Sequence, residues 1–488
     1  MTFALKSDYR DRLPGLFEPA RAISVDAPTL IRLNEPLAEA LGLDLSGLDR
    51  DALARLFSGQ DLPDGIAPIA QGYAGHQFGS FTPQLGDGRA MLLGEVETAD
   101  GLRDVQLKGS GPTHWSRGGD GMAAIGPVLR EFMVAEAMHA LGVPTTRALA
   151  AVATGEPVYR DSGPLPGAML TRVASSHIRI GTFQFYALHG EREKLQRLFD
   201  YTVARHYPEA AGADDPRLAL LDAYAGRLAE LVAYWMSLGF VHGVMNTDNM
   251  ALSGETIDYG PCAFIDIFDP AATFSSIDRR GRYAYSNQPP IAQWNLARFA
   301  ECLLSVGLAE GDRPDEAEMQ PFVDIVHGFP VRQETALARR MGPKLGLQTA
   351  QEDVIRALFK TLEGQQVDFT GFFRALSADV RGDAAPARDL FADPGAYDAW
   401  AAGWRDALAK EGRDAKDVAA AMDAANPLYI PRNHKVEEAL AAAQGGDYSP
   451  WERMLAIVTD PYVEQDGAEE YAKPAPDSFG AYTTFCGT

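Results

Sequence analysis

From Leu221 onward, apolar side chains recur at spacings of three and four: Leu221, Tyr224, Leu228, Leu231, Trp235 and Leu238. At 3.6 residues per turn they share one stripe, which predicts a long buried helix ending at Gly239. A second helix is predicted to open at Pro127. Its stripe is Val128, Phe132, Ala135, Met138 and Leu141, and Gly142 stops it. Between these patterns the texture is strand-like. Ala90–Val96, Asp104–Lys108, Ala148–Ala153 and Gly167–Val173 read as strands, and the Gly86-Asp87-Gly88-Arg89 turn signal beside the first suggests a hairpin. Shorter helical patterns run over 30–41, 293–307, 350–363 and 397–411. Asp383–Pro394 reads as a surface loop and Gln465–Thr488 as a loose tail. There is no repeat of 20–50 residues and no low-complexity tract.

The chain is therefore of the α+β class, with residues 72–175 reading strand, strand, helix, strand, strand and a mainly helical remainder. That is the element order of a protein-kinase amino-terminal lobe. The expected architecture is bilobal and kinase-like: 1–175 an extension plus a strand-rich lobe, 176–488 a helical lobe with a carboxyl-terminal extension and tail. The 221–238 helix delivers the chain to His242-Gly243-Val244-Met245-Asn246-Thr247-Asp248-Asn249, and Asp258-Tyr259-Gly260 follows. Kinase loops read H-x-D-x-x-x-x-N and then D-F-G, supplying a base, a metal-binding Asn and a metal-binding Asp. Here His242, Asn249 and Asp258 keep the spacing. The base position is Val244, which cannot accept a proton, and an acidic residue appears instead at Asp248. His242 reads as a structural anchor of the loop.

Composition limits the partners. Of 488 residues, 46% are hydrophobic and 23% charged, values of a globular protein. The net charge of −23 disfavours nucleic acid and anionic membrane as partners. No stretch approaches the ~18 apolar residues that span a bilayer, and the first residues carry no signal pattern, so a cytoplasmic protein is expected. Three cysteines, 262, 302 and 486, make neither a disulfide framework nor a zinc motif. Cys302 lies in an apolar helical run and reads as core. Cys486, three residues from the end, reads as exposed.

Several residues could serve a phosphate site. A strand Lys paired with a helix Glu, here Lys108 and Glu131, is the kinase device for holding phosphates; each alone would pass for a surface residue. Gly86 and Gly88 could admit phosphate to backbone N–H groups or simply form a turn. A second Gly-Asp-Gly, Gly119-Asp120-Gly121, lies between the Lys strand and the Glu helix. Arg172 and Arg179 flank Ser175-Ser176-His177 and offer planar donor forks. Asn249 and Asp258 offer hard oxygens of the kind Mg²⁺ takes beside phosphates.

Taken together the chain resembles the selenoprotein O family, pseudokinases that act as protein adenylyltransferases. The resemblance spans nearly the whole sequence. It rests on Gly72–Gly79, Gln84–Arg89, Gln106–Gly111, Leu141–Leu149 and His242–Gly260. It implies a two-lobed kinase fold with ATP bound in reversed orientation, and transfer of AMP to Ser, Thr or Tyr hydroxyls of proteins, the enzyme itself among the possible acceptors. By motif match Gly86, Gly88, Arg89, Lys108, Asp120, Gly121, Arg172, Arg179 and Asp258 would bind the nucleotide. Asp248 would accept the proton, Asn249 and Asp258 would hold Mg²⁺ or Mn²⁺, and Glu131 would orient Lys108. Relatives carry a Cys or selenocysteine near the carboxyl terminus, commonly followed by two Ser. Here Cys486 precedes Gly487 and Thr488, so a redox role, with Cys262 as a conceivable partner, has weaker support than the ATP site. A kinase-like phosphotransferase and a non-enzymatic, redox-responsive ATP-binding scaffold are the competing readings.

Overall fold

The computed structural model describes residues 3–161, 163–308, 313–383 and 386–484. It is a mixed α/β protein. The strands run in chain order as β1 (Phe17–Pro19), β2 (Thr29–Leu33), β3 (Ile69–Gln71), β4 (Gly75–Gln77), β5 (Ser80–Thr82), β6 (Ala90–Thr98), β7 (Gly101–Lys108), β8 (Ala123–Ala124), β9 (Arg147–Arg160) and β10 (Gly163–Ala174). Seven of them form a sheet in the order β1-β3-β6-β7-β10-β9-β2, with antiparallel neighbours, and β8 adds to β10. The hairpin expected at Gly86–Arg89 does not form; β6 instead turns into β7 around Ala99 and Asp100. Gly86–Arg89 precedes β6 and connects it to the small β4–β5 hairpin.

Alternation along β7 decides what each face does. Val105 and Leu107 point into an apolar layer with Phe57, Leu53, Met91 and Leu149. Asp104, Gln106 and Lys108 therefore point the other way, Gln106 and Lys108 toward Arg172 and Glu131 of the site and Asp104 toward His177 and Arg205. The Ile125–Ala140 helix opens two residues before Pro127 and is buried along most of its length. Its core also contains Trp451, Met454 and Leu440 from the helices Asn433–Gln444 and Ser449–Val458, so these late helices pack back onto the strand-rich part.

The stripe from Leu221 to Leu238 is buried as expected, on the helix Pro216–Leu238, which ends in a left-handed Gly239 at φ +73°. A separate core gathers Phe369, Phe372, Phe373, Trp400 and Trp404. Two loop expectations fail. Within 383–394, residues Pro386–Asp389 form a helical turn, and Ala387 and Phe391 are buried in that second core. The segment from Gln465 to Thr484 is packed rather than loose: Ala468 is fully buried and Thr484 pairs with Ser275. Apolar anchors too sparse to show a period hold both segments in place. Cys486 lies outside the described residues.

Candidate active site

His242 is buried, its Nε2 3.0 Å from the Ile257 carbonyl, and Val244 N donates to its Nδ1. Burial lowers its pKa to about 4, so the ring is a neutral anchor that clamps the 242–249 loop to Ile257, the residue before Asp258. Asp258 takes φ +66°, a left-handed conformation uncommon outside glycine. There its carboxylate collects three cations. Oδ1 accepts from Lys108 Nζ at 2.9 Å and Arg172 Nη1 at 2.7 Å, and Oδ2 from Arg179 Nη1 at 2.6 Å. Burial alone would raise this carboxyl, but Lys108, Arg179 and Arg172 outweigh it and hold it well below the usual range.

Glu131 completes the cluster. It accepts from Lys108 Nζ at 2.5 Å and from Arg172 Nη1 at 3.0 Å. Burial opposes its ionised form too, and Lys108 and Arg172 again prevail, so its pKa is lowered. Lys108, Arg172 and Arg179, whose N–H donors suit phosphate oxygens, thus converge on Asp258 and Glu131.

Asp248 sits beside that cluster: Arg179 Nη1 donates to its backbone carbonyl at 2.6 Å. Its side chain is buried, and Oδ1 has no hydrogen-bond partner. Burial pushes its pKa up to about 6, against the pull of a backbone N–H and of Arg179. The β4–β5 hairpin covers it. A Cβ on Gly75 would overlap Asp248 Oδ1, His76 N donates to Thr247 Oγ1 at 2.7 Å, and Phe78 N donates to Asn246 Oδ1 at 3.1 Å. Asn249 gives its Nδ2 to the Val244 carbonyl at 2.9 Å, and no described group donates to its Oδ1.

The other sequence candidates gather more loosely. Gly109 N donates to the Arg89 carbonyl at 2.7 Å, which ties the 86–89 turn to the end of β7. Gly86, at φ +85°, and Gly88 lie against Trp115, where any Cβ would meet its ring or its backbone. Their lack of a side chain thus has a packing reason. Gly121, at φ +65°, crosses the Gly111 backbone at a distance no Cβ would permit. Asp120 is at the rim, 43% exposed and paired with Arg160 Nη1 at 2.8 Å rather than with Lys108.

Two residues of the cluster lie within the quoted motifs but had no role assigned from sequence. Gln106 Oε1 accepts from Arg172 Nη2 at 2.7 Å and Nε at 3.2 Å, and its Nε2 donates to Asp87 Oδ2 at 3.3 Å. Asp87 is buried, and its pKa is pushed up to about 6 by that burial. A relay thus runs Asp87–Gln106–Arg172–Asp258. The available signal was the polar series 104, 106, 108 on one face of an otherwise apolar strand. Cys302 is buried as its apolar run predicted, and Cys262 is buried too; both are free. Thr484 Oγ1 donates to the Pro261 carbonyl at 2.9 Å, so the chain ends its described course beside Cys262.

The site thus sets a buried acid with one unpartnered oxygen, Asp248 Oδ1, beside cations that converge on the Asp258 carboxylate. The comparisons with known proteins place the chain among nucleotidyltransferases. A family model described as protein adenylyltransferase SelO matches residues 3–459, and the chain belongs to that family of nucleotidyltransferases. It is 54% identical to protein nucleotidyltransferase YdiU of Sphingopyxis alaskensis, with 100% of each chain covered. Proteins of the same name from Mycobacterium sp. (strain KMS) and Cereibacter sphaeroides (strain ATCC 17029) are 52% and 53% identical, with 99% and 100% of each chain covered.

Proposed function

We propose that the protein transfers AMP from ATP to Ser, Thr or Tyr hydroxyls of cytoplasmic proteins, itself among them, and releases pyrophosphate. We assign it a kinase-like two-lobed fold with the boundary near residue 175. The observation that carries the reading is the unpartnered, buried Oδ1 of Asp248 beside the cation cluster. With the β4–β5 hairpin drawn back from it, an acceptor hydroxyl would give its proton to this oxygen as its own oxygen attacks the α-phosphorus. Lys108, Arg172 and Arg179 would meet the negative charge of the triphosphate and of the departing pyrophosphate. Glu131 and Gln106 would hold Lys108 and Arg172 in position. Arg89, Gly86, Gly88, Asp120 and Gly121 would border the nucleotide.

The donor set suits a hard cation. Asn249 Oδ1 is unclaimed and Asp258 is kept ionised, so these two would hold Mg²⁺, or Mn²⁺ in its place. Bound there, the ion would neutralise charge on the phosphates. A triphosphate would compete for the three cations on Asp258 and free its oxygens for that role.

ATP labelled separately at the α- and γ-phosphates tests the reading. We expect α-label alone on protein, with release of pyrophosphate. Label from the γ-phosphate on protein, with ADP as product, would overturn it.

A further inference from the structure

Within four residues the chain places Arg279, Arg280 and Arg282, in a molecule whose net charge is −23. Among the described residues none of the three has a carboxylate partner. Arg279 and Arg280 are exposed. Arg279 and Arg280 thus present two adjacent exposed cations with no carboxylate of this chain on them, a local positive patch suited to an anion from outside.

The loop that carries them is rigidly built. Asp278 is buried and accepts from Arg282 N at 2.9 Å and Tyr283 N at 2.7 Å. Gly281 makes the turn at φ +63°. The Arg282 guanidinium lies 4.9 Å from the Trp294 ring centroid, and its Nε is buried without a hydrogen-bond partner. Ile277, 58% exposed, adds an apolar contact at the loop's edge.

The loop is also joined to the acceptor side of the active site. Tyr283 Oη donates to Asn246 Oδ1 at 2.5 Å, the oxygen that Phe78 N also reaches, and Asn246 is two residues from Asp248. Arg282 Cζ would be 3.4 Å from a Cβ at Gly79, the tip of the β4–β5 hairpin whose base covers Asp248. From Gly79 back to Gly75 the hairpin spans about 13 Å at roughly 3.3 Å per residue.

We propose that this loop is the docking surface for the protein acceptor, and that it recognises an acidic segment. An extended acceptor whose hydroxyl is at Asp248 would bring a carboxylate to the arginines about three to five residues from that hydroxyl, at roughly 3.3 Å per residue. The guanidinium forks suit carboxylates in pairs. This inference rests on the adenylyl-transfer reading, but its test does not depend on turnover.

Fluorescent eleven-residue peptides with a central Ser and Glu, Gln or Lys at the third and fourth positions on either side serve as probes. Binding by anisotropy is compared for the full chain and its R279Q/R280Q and R279E/R280E variants. We expect the Glu peptide to bind the unaltered chain at least tenfold tighter than the Gln peptide, and more weakly as salt rises. R279Q/R280Q should lose that preference and R279E/R280E should favour the Lys peptide. Equal binding of Glu and Gln peptides by the unaltered chain, or a Glu preference retained in R279E/R280E, overturns the proposal. Incorporation of α-label is followed in parallel. Failure of that reaction alone counts against AMP transfer and leaves the binding result to decide the surface.

Discussion

At the scale of residues, the two acids of the site are set apart by their surroundings. Asp258 is surrounded by three cations and stays ionised; Asp248 is buried with an empty Oδ1 and sits near neutrality. Only ionised Asp248 can accept a proton. We therefore expect kcat/KM for AMP transfer to fall about tenfold per pH unit below about 6, and to level off above. Asp248→Asn should lower transfer by roughly 10²–10⁴-fold at pH 8 with ATP affinity unchanged. The same burial has a stability consequence. A carboxyl whose pKa is raised on folding contributes stability at low pH that is lost as pH rises through about 6. Asp248→Asn should thus be more stable than the parent at pH 8, by on the order of 1–3 kcal/mol, and about equal at pH 4. Urea melts at the two pH values check this; a variant less stable at pH 8 would argue that the Asp248 carboxylate is solvated. Asp258→Ala acts oppositely, because it leaves Lys108, Arg172 and Arg179 without the carboxylate they share. It should cost about 2 kcal/mol, less than a fully buried pair because Asp258 is partly exposed. It should also abolish transfer and remove the metal dependence of ATP binding, which calorimetry with and without Mg²⁺ would read.

At the scale of elements, the β4–β5 hairpin decides whether Asp248 is usable. Gly75 does not need a left-handed backbone, yet its missing Cβ is what lets the strand lie against Oδ1. Gly75→Ala must displace either the hairpin or the acid. We expect transfer to fall about 10–100-fold, in line with the sensitivity of catalysis to ångström-scale misplacement, while the melting temperature changes little. Full activity in Gly75→Ala would mean that the hairpin already stands away from Asp248 when the enzyme works. This contact also marks how far the sequence could be read. The 242–258 spacing named Asp248, Asn249 and Asp258, because short-range motifs keep their geometry. The long helix was legible because its stripe is regular. The partners that finish the site were not: Gln106 reaches Arg172 across 66 positions and Gly75 reaches Asp248 across more than 170. Pairings of that span come from sheet register and loop packing, which leave no local period. The 86–89 turn misled for a different reason: β6 makes its long pairing with β7 through a turn at Ala99 and Asp100 and meets upstream β3 only at Ile69, so a turn signal before a strand did not mark a hairpin.

At the scale of the whole molecule, the site depends on chain that returns from far away. Trp451 is fully buried against the Ile125–Ala140 helix, its Nε1 donating to the Leu129 carbonyl at 3.0 Å and its ring 5.4 Å from Phe132. Glu131 lies between those two contacts, on the same helix. One residue before it, Arg130 donates to the carbonyls of Gly260 and Cys262 and to Tyr482 Oη, joining the helix to the segment after Asp258 and to the chain's far end. The carboxyl-terminal extension thus sets where Glu131, and through it Lys108, can stand. Trp451→Ala should cost about 3–5 kcal/mol in stability, as loss of a buried aromatic does. It should also weaken ATP binding at temperatures where the protein remains folded. Trp404→Ala supplies the control: it removes a comparably buried ring, whose Nε1 donates to Leu345, from the core around Phe369 and Phe372. Both variants should lose similar stability, but only Trp451→Ala should raise the Kd for ATP, by roughly the tenfold that 1.4 kcal/mol represents. Calorimetry at 15 °C, below both melting transitions, separates them. Equal ATP affinity in the two variants would show that the extension stabilises the fold without positioning the Lys108–Glu131 pair.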